Sequence, residues 1–198
     1  MQKPTQTDEY AQQLIFVVEK GWKDHLRFID PHRQHVRYLC RGRSVLELGC
    51  GAGRNLIYLN RSDCYGVDHN EAAISYCKSR GLNAATSVSD LGLAPDHRFG
   101  VLLMAHLLEH LTFDDAVAMV KSHLDLLEPD ARIIVMTPQE KGQTHDSSHV
   151  TYFGPRELDH LAELTNVRPL KKYSFPLPSV FGKILYFNEN VFVGVHRT

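Results

Sequence analysis

The chain has 198 residues, a size at which one domain can bury a full hydrophobic core. Its 43% hydrophobic content is ordinary for a globular protein, and a net charge of −1 excludes a general attraction to nucleic acid or anionic membranes. We see no signal-peptide pattern and no apolar run that could span a membrane. The four cysteines have no paired spacing, so we expect a protein of the reducing cytoplasm.

The N-terminal region reads as two helices. Apolar residues recur at helical spacing over residues 8–20, and Gly21 with Trp22 is expected to interrupt this helix. Proline opens a second helix predicted over residues 31–39. Arginines between Arg33 and Arg43 form either a solvated face or a patch for an anionic substrate.

Alternating glycines follow the first predicted strand. Residues 45–48 (VLEL) read as a buried parallel strand, and Gly49, Gly51 and Gly53 come next. Glycine is needed where the backbone takes a positive φ or lies directly against a ligand. A helix is predicted just beyond, and its N-terminal N–H groups suit a carboxylate or phosphate. This stretch therefore predicts a ligand-binding loop.

The spacing of the glycines helps to identify the ligand. A dinucleotide fingerprint is G-x-G-x-x-G, whereas here Arg54 takes the place of the third glycine. Asp68 follows the second predicted strand, where a carboxylate can accept hydrogen bonds from two ribose hydroxyls. With Asp68, the motif E-x-G-x-G-x-G from Glu47 resembles the class I (Rossmann-like) S-adenosylmethionine-dependent methyltransferases. A glycine turn in an ordinary α/β domain and an NAD site are the alternatives.

The resemblance implies an α/β fold, a Rossmann-like three-layer sandwich with a mostly parallel seven-stranded sheet and an antiparallel C-terminal strand. We expect a single domain with an N-terminal helical lid (1–40), a cofactor-binding core (41–138) and a substrate-side loop with a C-terminal hairpin (139–198). Tyr10 and Trp22 belong either to the lid or to the core. S-adenosylmethionine is the implied cofactor. The residues expected to bind it are Glu47, Gly49, Cys50, Gly51, Gly53, Asn55, Asp68, His69, Asp90, Leu91, Ala105 and His106.

The remaining elements alternate between strand and helix, as in a parallel sheet with crossovers. Asn70 is expected to cap one helix. Thr112 is expected to cap another helix, which carries an apolar stripe to Leu127 and ends at Pro129. In the family, the acidic residue after the third strand, here Asp90, accepts a hydrogen bond from the adenine amino group. The predicted strands are 64–67, 83–88, 101–104, 133–136, 167–175 and 190–196.

The C-terminal third is expected to bind the methyl acceptor. The run from His149 to Leu158 resembles an H-x-x-x-F-x-P-x-E-L passage of small bacterial methyltransferases, which act on sugars, antibiotic or cell-surface precursors and quinone-type metabolites. Apolar residues between 176 and 190 either wall a pocket or pack against the sheet. Transfer to a hydroxyl needs a base, and histidine suits that role at neutral pH. The candidates are His149 first, His106 second, then His145 and His110, and each is otherwise a structural histidine.

Other chemistries are less well supported. His145, Asp146 and His149 could share a metal, but this ligand set is incomplete and we predict no metal site. The Asn/Asp-Pro-Pro-Tyr motif of nucleobase-amine methyltransferases is absent after the fourth strand. We therefore expect methyl transfer to a small molecule, at a hydroxyl, by a monomer or homodimer. The alternatives are a tRNA or rRNA methyltransferase that uses the Arg33–Arg43 patch and a non-catalytic cofactor-binding partner protein.

Overall fold

The computed structural model describes the backbone of residues 7–23 and 30–196 and the side chains of residues 7–19 and 30–196. Helix α1 (Asp8–Lys23) continues through Gly21, so the predicted interruption is wrong. One glycine costs a helix only about 1 kcal/mol relative to alanine, which does not end it. The side chain of Trp22 lies outside the described residues, and its expected part in a lid stays a prediction.

The chain divides into two compact units, Met1–Asp96 and His97–Thr198. In the first unit, β1 pairs with β2 and β2 with β3, all in parallel. Every residue of β1 is buried, including Glu47 between the apolar residues Leu46 and Leu48. After α1, the elements of this unit are α2 (Pro31–Leu39), β1 (Val45–Leu48), α3 (Arg54–Leu59), β2 (Cys64–Val67), α4 (Glu71–Ser79) and β3 (Asn83–Ala85).

Caps and local side-chain bonds set the limits of these elements. Asn70 caps α4 by accepting the N–H of Ala73 at 3.1 Å, as predicted. The third strand is shorter than predicted, because a 3₁₀ turn occupies Val88–Leu91. Hydroxyl groups just before this turn bond to Asp90, and such local bonds compete with strand pairing.

In the second unit, β4 and β5 are parallel, and β7 is antiparallel to both β5 and β6. All seven residues of β4 are buried. Pro155 occupies the first position of α7, as the sequence indicates. The elements are β4 (Phe99–Ala105), α5 (Phe113–His123), β5 (Leu127–Pro138), α6 (Glu140–Gln143), α7 (Pro155–Leu164), β6 (Val167–Phe175) and β7 (Glu189–His196).

The passage between α5 and β5 differs from the prediction. The helix ends at His123, and Leu127 already pairs with Phe99 as the first residue of β5. Pro129 therefore lies in the strand and does not end the helix. The pairing shifts register just after Phe99, and Asp130 has φ +58° at this irregularity. Aspartate tolerates the left-handed region better than most residues, which permits this conformation.

The seven strands have the order β3-β2-β1-β4-β5-β7-β6, with β7 antiparallel to the other six. This order confirms the predicted Rossmann-like α/β fold. The C-terminal hairpin is also confirmed, since β6 and β7 pair along their whole length. Among the described residues, no helix combines the length and apolar character needed to cross a membrane.

Candidate functional site

All three glycines of the loop after β1 have left-handed backbones. The φ angles of Gly49, Gly51 and Gly53 are +69°, +51° and +75°. A side chain at Gly53 would also clash, because its Cβ would lie 2.5 Å from Leu82 Cδ1. Strand β2 contributes Gly66, where a Cβ would lie 2.6 Å from that of Cys50. The loop therefore requires glycine both for its conformation and for its close packing on β2.

Asp68 is held in place by the backbone on both sides. Its Oδ2 accepts the N–H of Gly51 at 2.8 Å, and its Oδ1 accepts the N–H of Asn70 at 2.9 Å. His69, by contrast, is far more exposed, with Nδ1 3.9 Å from Asp68 Oδ1. A carboxylate has about four acceptor positions, so each oxygen of Asp68 retains capacity for a hydroxyl donor. The residues present thus fit a ribose next to the glycine loop.

Glu47 and Asn55 form a buried brace beneath the loop. Asn55 Nδ2 donates to Glu47 Oε1 at 2.6 Å, which joins β1 to α3. Burial raises the pKa of Glu47 to about 8, although the hydrogen bond from Asn55 and the charge of Arg54 oppose this shift. The carboxyl group is therefore largely protonated near neutral pH in the free protein. Direct contact of Glu47, Asn55 or Cys50 with a cofactor stays a prediction.

Helix α1 packs on the glycine loop. A Cβ at Gly51 would lie 3.0 Å from Leu14 Cδ1, and Ala11 is buried. The side-chain amide of Asn70 donates to the carbonyl of Thr7 at 3.1 Å, which fixes the start of the helix. Leu14 was not among the predicted site residues, because its periodicity indicates only a helix face. The lid role of Tyr10 stays a prediction.

The residues predicted to contact the adenine lie in the 3₁₀ turn after β3. Asp90 is exposed, and its Oδ2 accepts the hydroxyls of Ser87 at 2.7 Å and Thr86 at 3.1 Å. These two hydrogen bonds lower the pKa of Asp90. Leu91 is half-buried beside it. The carboxylate is thus oriented by its neighbours, as an adenine contact requires, but that contact stays a prediction.

In the second unit, His106 lies between two carboxylates. It follows Ala105 at the end of β4 with φ +57°, and its Nε2 lies 2.6 Å from Glu189 Oε1. Its Nδ1 lies 3.3 Å from Glu109 Oε1. Burial alone lowers the pKa of His106, but the charge of Glu189 and the hydrogen bonds to both carboxylates outweigh it and raise this pKa to about 10. The two carboxylates therefore favour the protonated form of His106.

His149 packs against His110, and the two imidazole centroids are 5.0 Å apart. The Nδ1 of His149 lies 3.1 Å from the carbonyl of Gln143, and that of His110 lies 3.3 Å from the carbonyl of Ser148. Burial lowers the pKa of His110. Loop 144–154 thus delivers His149 to the 3₁₀ turn that carries His110, and sequence spacing had not paired these residues.

His145 occupies a different environment from His149. It is exposed and stacks on Tyr186, with 4.9 Å between the ring centroids. Tyr186 belongs to an apolar segment with several side chains exposed to solvent, although Gly182 within it is buried. We call this the aromatic segment; its exposed residues are Val180, Phe181, Ile184, Tyr186 and Phe187.

Two carboxylates of the second unit were missed at the sequence level. Glu109 precedes His110 directly, but one acidic residue before a histidine is too common to indicate a site. Glu189 is 83 positions from His106, so no local pattern links the two. The contact with Glu189 forms only because β4 and β7 lie on either side of β5.

The fold and the glycine loop with its anchored aspartate define a nucleoside-cofactor-binding domain of the class I methyltransferase type. The sequence model of one protein family, described as "Methyltransferase domain", matches residues 22–172. The chain belongs to this family. The resemblance drawn from the sequence is thereby confirmed, and so is S-adenosylmethionine as the expected cofactor.

Two curated relatives are similar to this chain over part of their length. A probable S-adenosylmethionine-dependent methyltransferase of Mycolicibacterium smegmatis is 30% identical over 142 residues, which are 68% of this chain and 53% of that protein. A ubiquinone biosynthesis O-methyltransferase of Neisseria meningitidis is 27% identical over 126 residues, 57% of this chain and 49% of that protein. The chain thus spans about half the length of the curated relatives it matches.

Solved structures support the fold. A SAM-dependent methyltransferase from Archaeoglobus fulgidus superposes with a TM-score of 0.68 and 17% identity, covering 91% of this chain and 98% of the other. At this identity the similarity bears on the architecture and not on the substrate.

Proposed function

We propose that this protein is an enzyme that transfers a methyl group from S-adenosylmethionine to a hydroxyl group of a small molecule. The observation that carries the proposal is Asp68, whose two oxygens accept the N–H groups of Gly51 and Asn70. This arrangement fixes a carboxylate at the carboxyl end of β2, beside a loop in which three of the five residues are glycine. Ligands of open α/β sheets bind at that end of the strands.

Methyl transfer is an in-line displacement at a carbon that the sulfonium group of the cofactor already activates. The protein must therefore mainly orient its ligands. Within the first unit, Asp68 is suited to two ribose hydroxyls and Asp90 to the adenine amino group. Glu47 and Asn55 hold β1 and α3 together below the loop, so the loop backbone is fixed before a ligand arrives.

The second unit supplies a histidine for the acceptor. Because the Nδ1–H of His149 faces the carbonyl of Gln143, its lone pair lies on Nε2, where it can take a proton from a hydroxyl. Both ring nitrogens of His106 face carboxylates, so we assign it a positioning role and not that of a base. His145 is placed beside the aromatic segment, where it can contact an acceptor.

The aromatic segment favours an acceptor with an apolar portion. Its side chains are exposed on a loop, where no core packing accounts for them. The relative from Neisseria meningitidis is named as a ubiquinone biosynthesis O-methyltransferase, which supports a hydroxyl on such a metabolite. Quinone-type and natural-product acceptors are therefore better supported than simple sugars.

Calorimetric titration with S-adenosylhomocysteine tests the cofactor assignment. We expect one molecule bound per chain, and no binding of NAD under the same conditions. Absence of S-adenosylhomocysteine binding by a folded sample would refute the proposal.

The acceptor atom is tested by transfer of a labelled methyl group to matched pairs of phenols and anilines. Label found only on the anilines would contradict transfer to oxygen.

A further inference from the structure

A carboxylate and two histidines come together in the second unit, apart from the glycine loop. One potential ligand atom from each of Glu109, His110 and His149 lies within 4.8 Å of the other two. We propose that these three residues, the Glu109 cluster, bind a divalent transition-metal ion such as Zn²⁺ or Mn²⁺. The set differs from the one considered at the sequence level, because Glu109 and His110 replace His145 and Asp146.

The hydrogen bonds of the two histidines suit metal binding. The Nδ1 of each ring faces a backbone carbonyl, of Gln143 for His149 and of Ser148 for His110. A carbonyl can only accept, so each Nδ1 carries the proton and each Nε2 carries a lone pair. Metal-binding histidines are commonly oriented in this way by a carbonyl or carboxylate on the other nitrogen.

Glu109 is a buried carboxylate that a cation would stabilise. Its side chain is 0% exposed, and Oε2 accepts no hydrogen bond from any residue in the described ranges. Oε1 lies 3.3 Å from His106, but that histidine has a closer carboxylate partner in Glu189 at 2.6 Å. A buried carboxylate oxygen without a donor is costly. A metal ion bound at Oε2 would supply the partner that this oxygen lacks.

The backbone keeps the three ligands in register. The N–H groups of Val150 and Thr151 both donate to the carbonyl of Glu109, at 2.7 and 3.1 Å. These bonds attach the segment just after His149 to the residue that carries the carboxylate. This attachment keeps His149 near Glu109 and His110, as ligands that share one ion at about 2.0–2.2 Å require.

Two imidazoles and one carboxylate are a common set for zinc and other divalent transition metals, and three protein ligands leave a coordination position open. If the proposed transfer to oxygen holds, an acceptor hydroxyl can take that position, where the metal would polarise it. This part of the inference depends on the proposed function. It would also change the role of His149, from a base to a ligand.

The direct test is metal binding by the full chain without cofactor or acceptor. Chelator-treated protein is titrated with ZnCl₂ and, separately, with MnCl₂ in a calorimeter, and bound metal is counted after desalting. We expect one equivalent of Zn²⁺ per chain. Glu109→Gln and His149→Ala should weaken binding by at least the roughly 10- to 100-fold that loss of an outer-shell partner costs. His160→Ala, which removes an exposed histidine on α7, is the matched control and should bind as the wild type does.

His145→Ala separates the two possible ligand sets. It should retain metal, since the Glu109 cluster does not include it. If His145→Ala loses the metal while Glu109→Gln keeps it, or if the wild type binds no stoichiometric metal, the proposal is wrong. The circular dichroism spectrum of metal-free Glu109→Gln should match that of the metal-free wild type, which excludes misfolding as the cause of lost binding. The S-adenosylhomocysteine titration is independent of this result, so each proposal can fail alone.

Discussion

If the glycine loop and the Glu109 cluster bind the ligands proposed for them, they do so in opposite ways. In the loop after β1, the left-handed backbone of the glycines shapes the proposed site. Its single carboxylate, Asp68, accepts hydrogen bonds from backbone N–H groups. In the Glu109 cluster, side chains from positions 109, 110 and 149 meet each other, and backbone carbonyls only orient them. The first arrangement suits a ligand that every member of a family shares. The second depends on particular side chains, and so can differ between relatives with different acceptors.

This difference has a physical consequence for mutation. A site formed mainly by the backbone is damaged when a substitution adds a side chain in the space that the ligand or the loop occupies. A side-chain-built site is damaged by removing a group and tolerates changes nearby. The following predictions test whether the two regions really differ in this way.

The largest expected effect is on cofactor binding by Asp68→Ala. The exchange would remove the two ribose hydrogen bonds proposed for Asp68, each worth about 1.5–3 kcal/mol because the acceptor is charged. It also removes the acceptor for the N–H groups of Gly51 and Asn70. Calorimetry with S-adenosylhomocysteine measures the loss, and Asp63→Ala, at an exposed aspartate before β2, is the control. Unchanged affinity of Asp68→Ala would mean that the ribose lies elsewhere.

Gly53→Ala is expected to destabilise the fold itself. A left-handed residue with a Cβ costs roughly 1–2 kcal/mol, and overpacking against Leu82 and Cys77 adds about 1–3 kcal/mol. Gly92→Ala is the matched control. Gly92 has φ +68°, but a Cβ added there has no atom within 4 Å, so this variant should lose only the conformational contribution. Urea unfolding of both variants separates the two contributions. Equal losses would show that close packing does not constrain Gly53.

Glu47 is expected to make the free energy of unfolding depend on pH, and Glu47→Gln should remove this dependence. The pKa of Glu47 is about 8 in the folded protein and 4.5 in its ordinary state. Ionisation of Glu47 therefore favours the unfolded chain. The free energy of unfolding of the wild type should fall as the pH rises from about 4.5 to about 8. Glu47→Gln keeps an oxygen for Asn55 but cannot ionise, so its stability advantage over the wild type should grow across that window to roughly a few kcal/mol. Urea unfolding at several pH values measures it, and an advantage that stays constant with pH contradicts the buried carboxylate.

The same contrast explains how much the sequence could predict. The glycine loop, Asp68 and the Asn70 cap are local patterns whose residues lie within a short stretch, so spacing alone indicated their arrangement. The pairing of His149 with Glu109 and of His106 with Glu189 depends on loop 144–154 and on β7, whose positions follow from tertiary packing. The early start of β5 was missed for a similar reason. The apolar residues of α5 continue at helical spacing to Leu127, but the pairing of Leu127 with Phe99 places that residue in the strand.

The smallest expected effect on stability concerns the aromatic segment. Ile184 is 70% exposed, so Ile184→Ser should change the free energy of unfolding by no more than about 0.5 kcal/mol. Phe153→Ala, at a fully buried side chain, should cost about 3–5 kcal/mol and shows the response of the core. Both are measured by urea unfolding. A loss above about 1.5 kcal/mol for Ile184→Ser would place the segment in the core and remove it as an acceptor surface, because side chains engaged in packing cannot also contact a ligand.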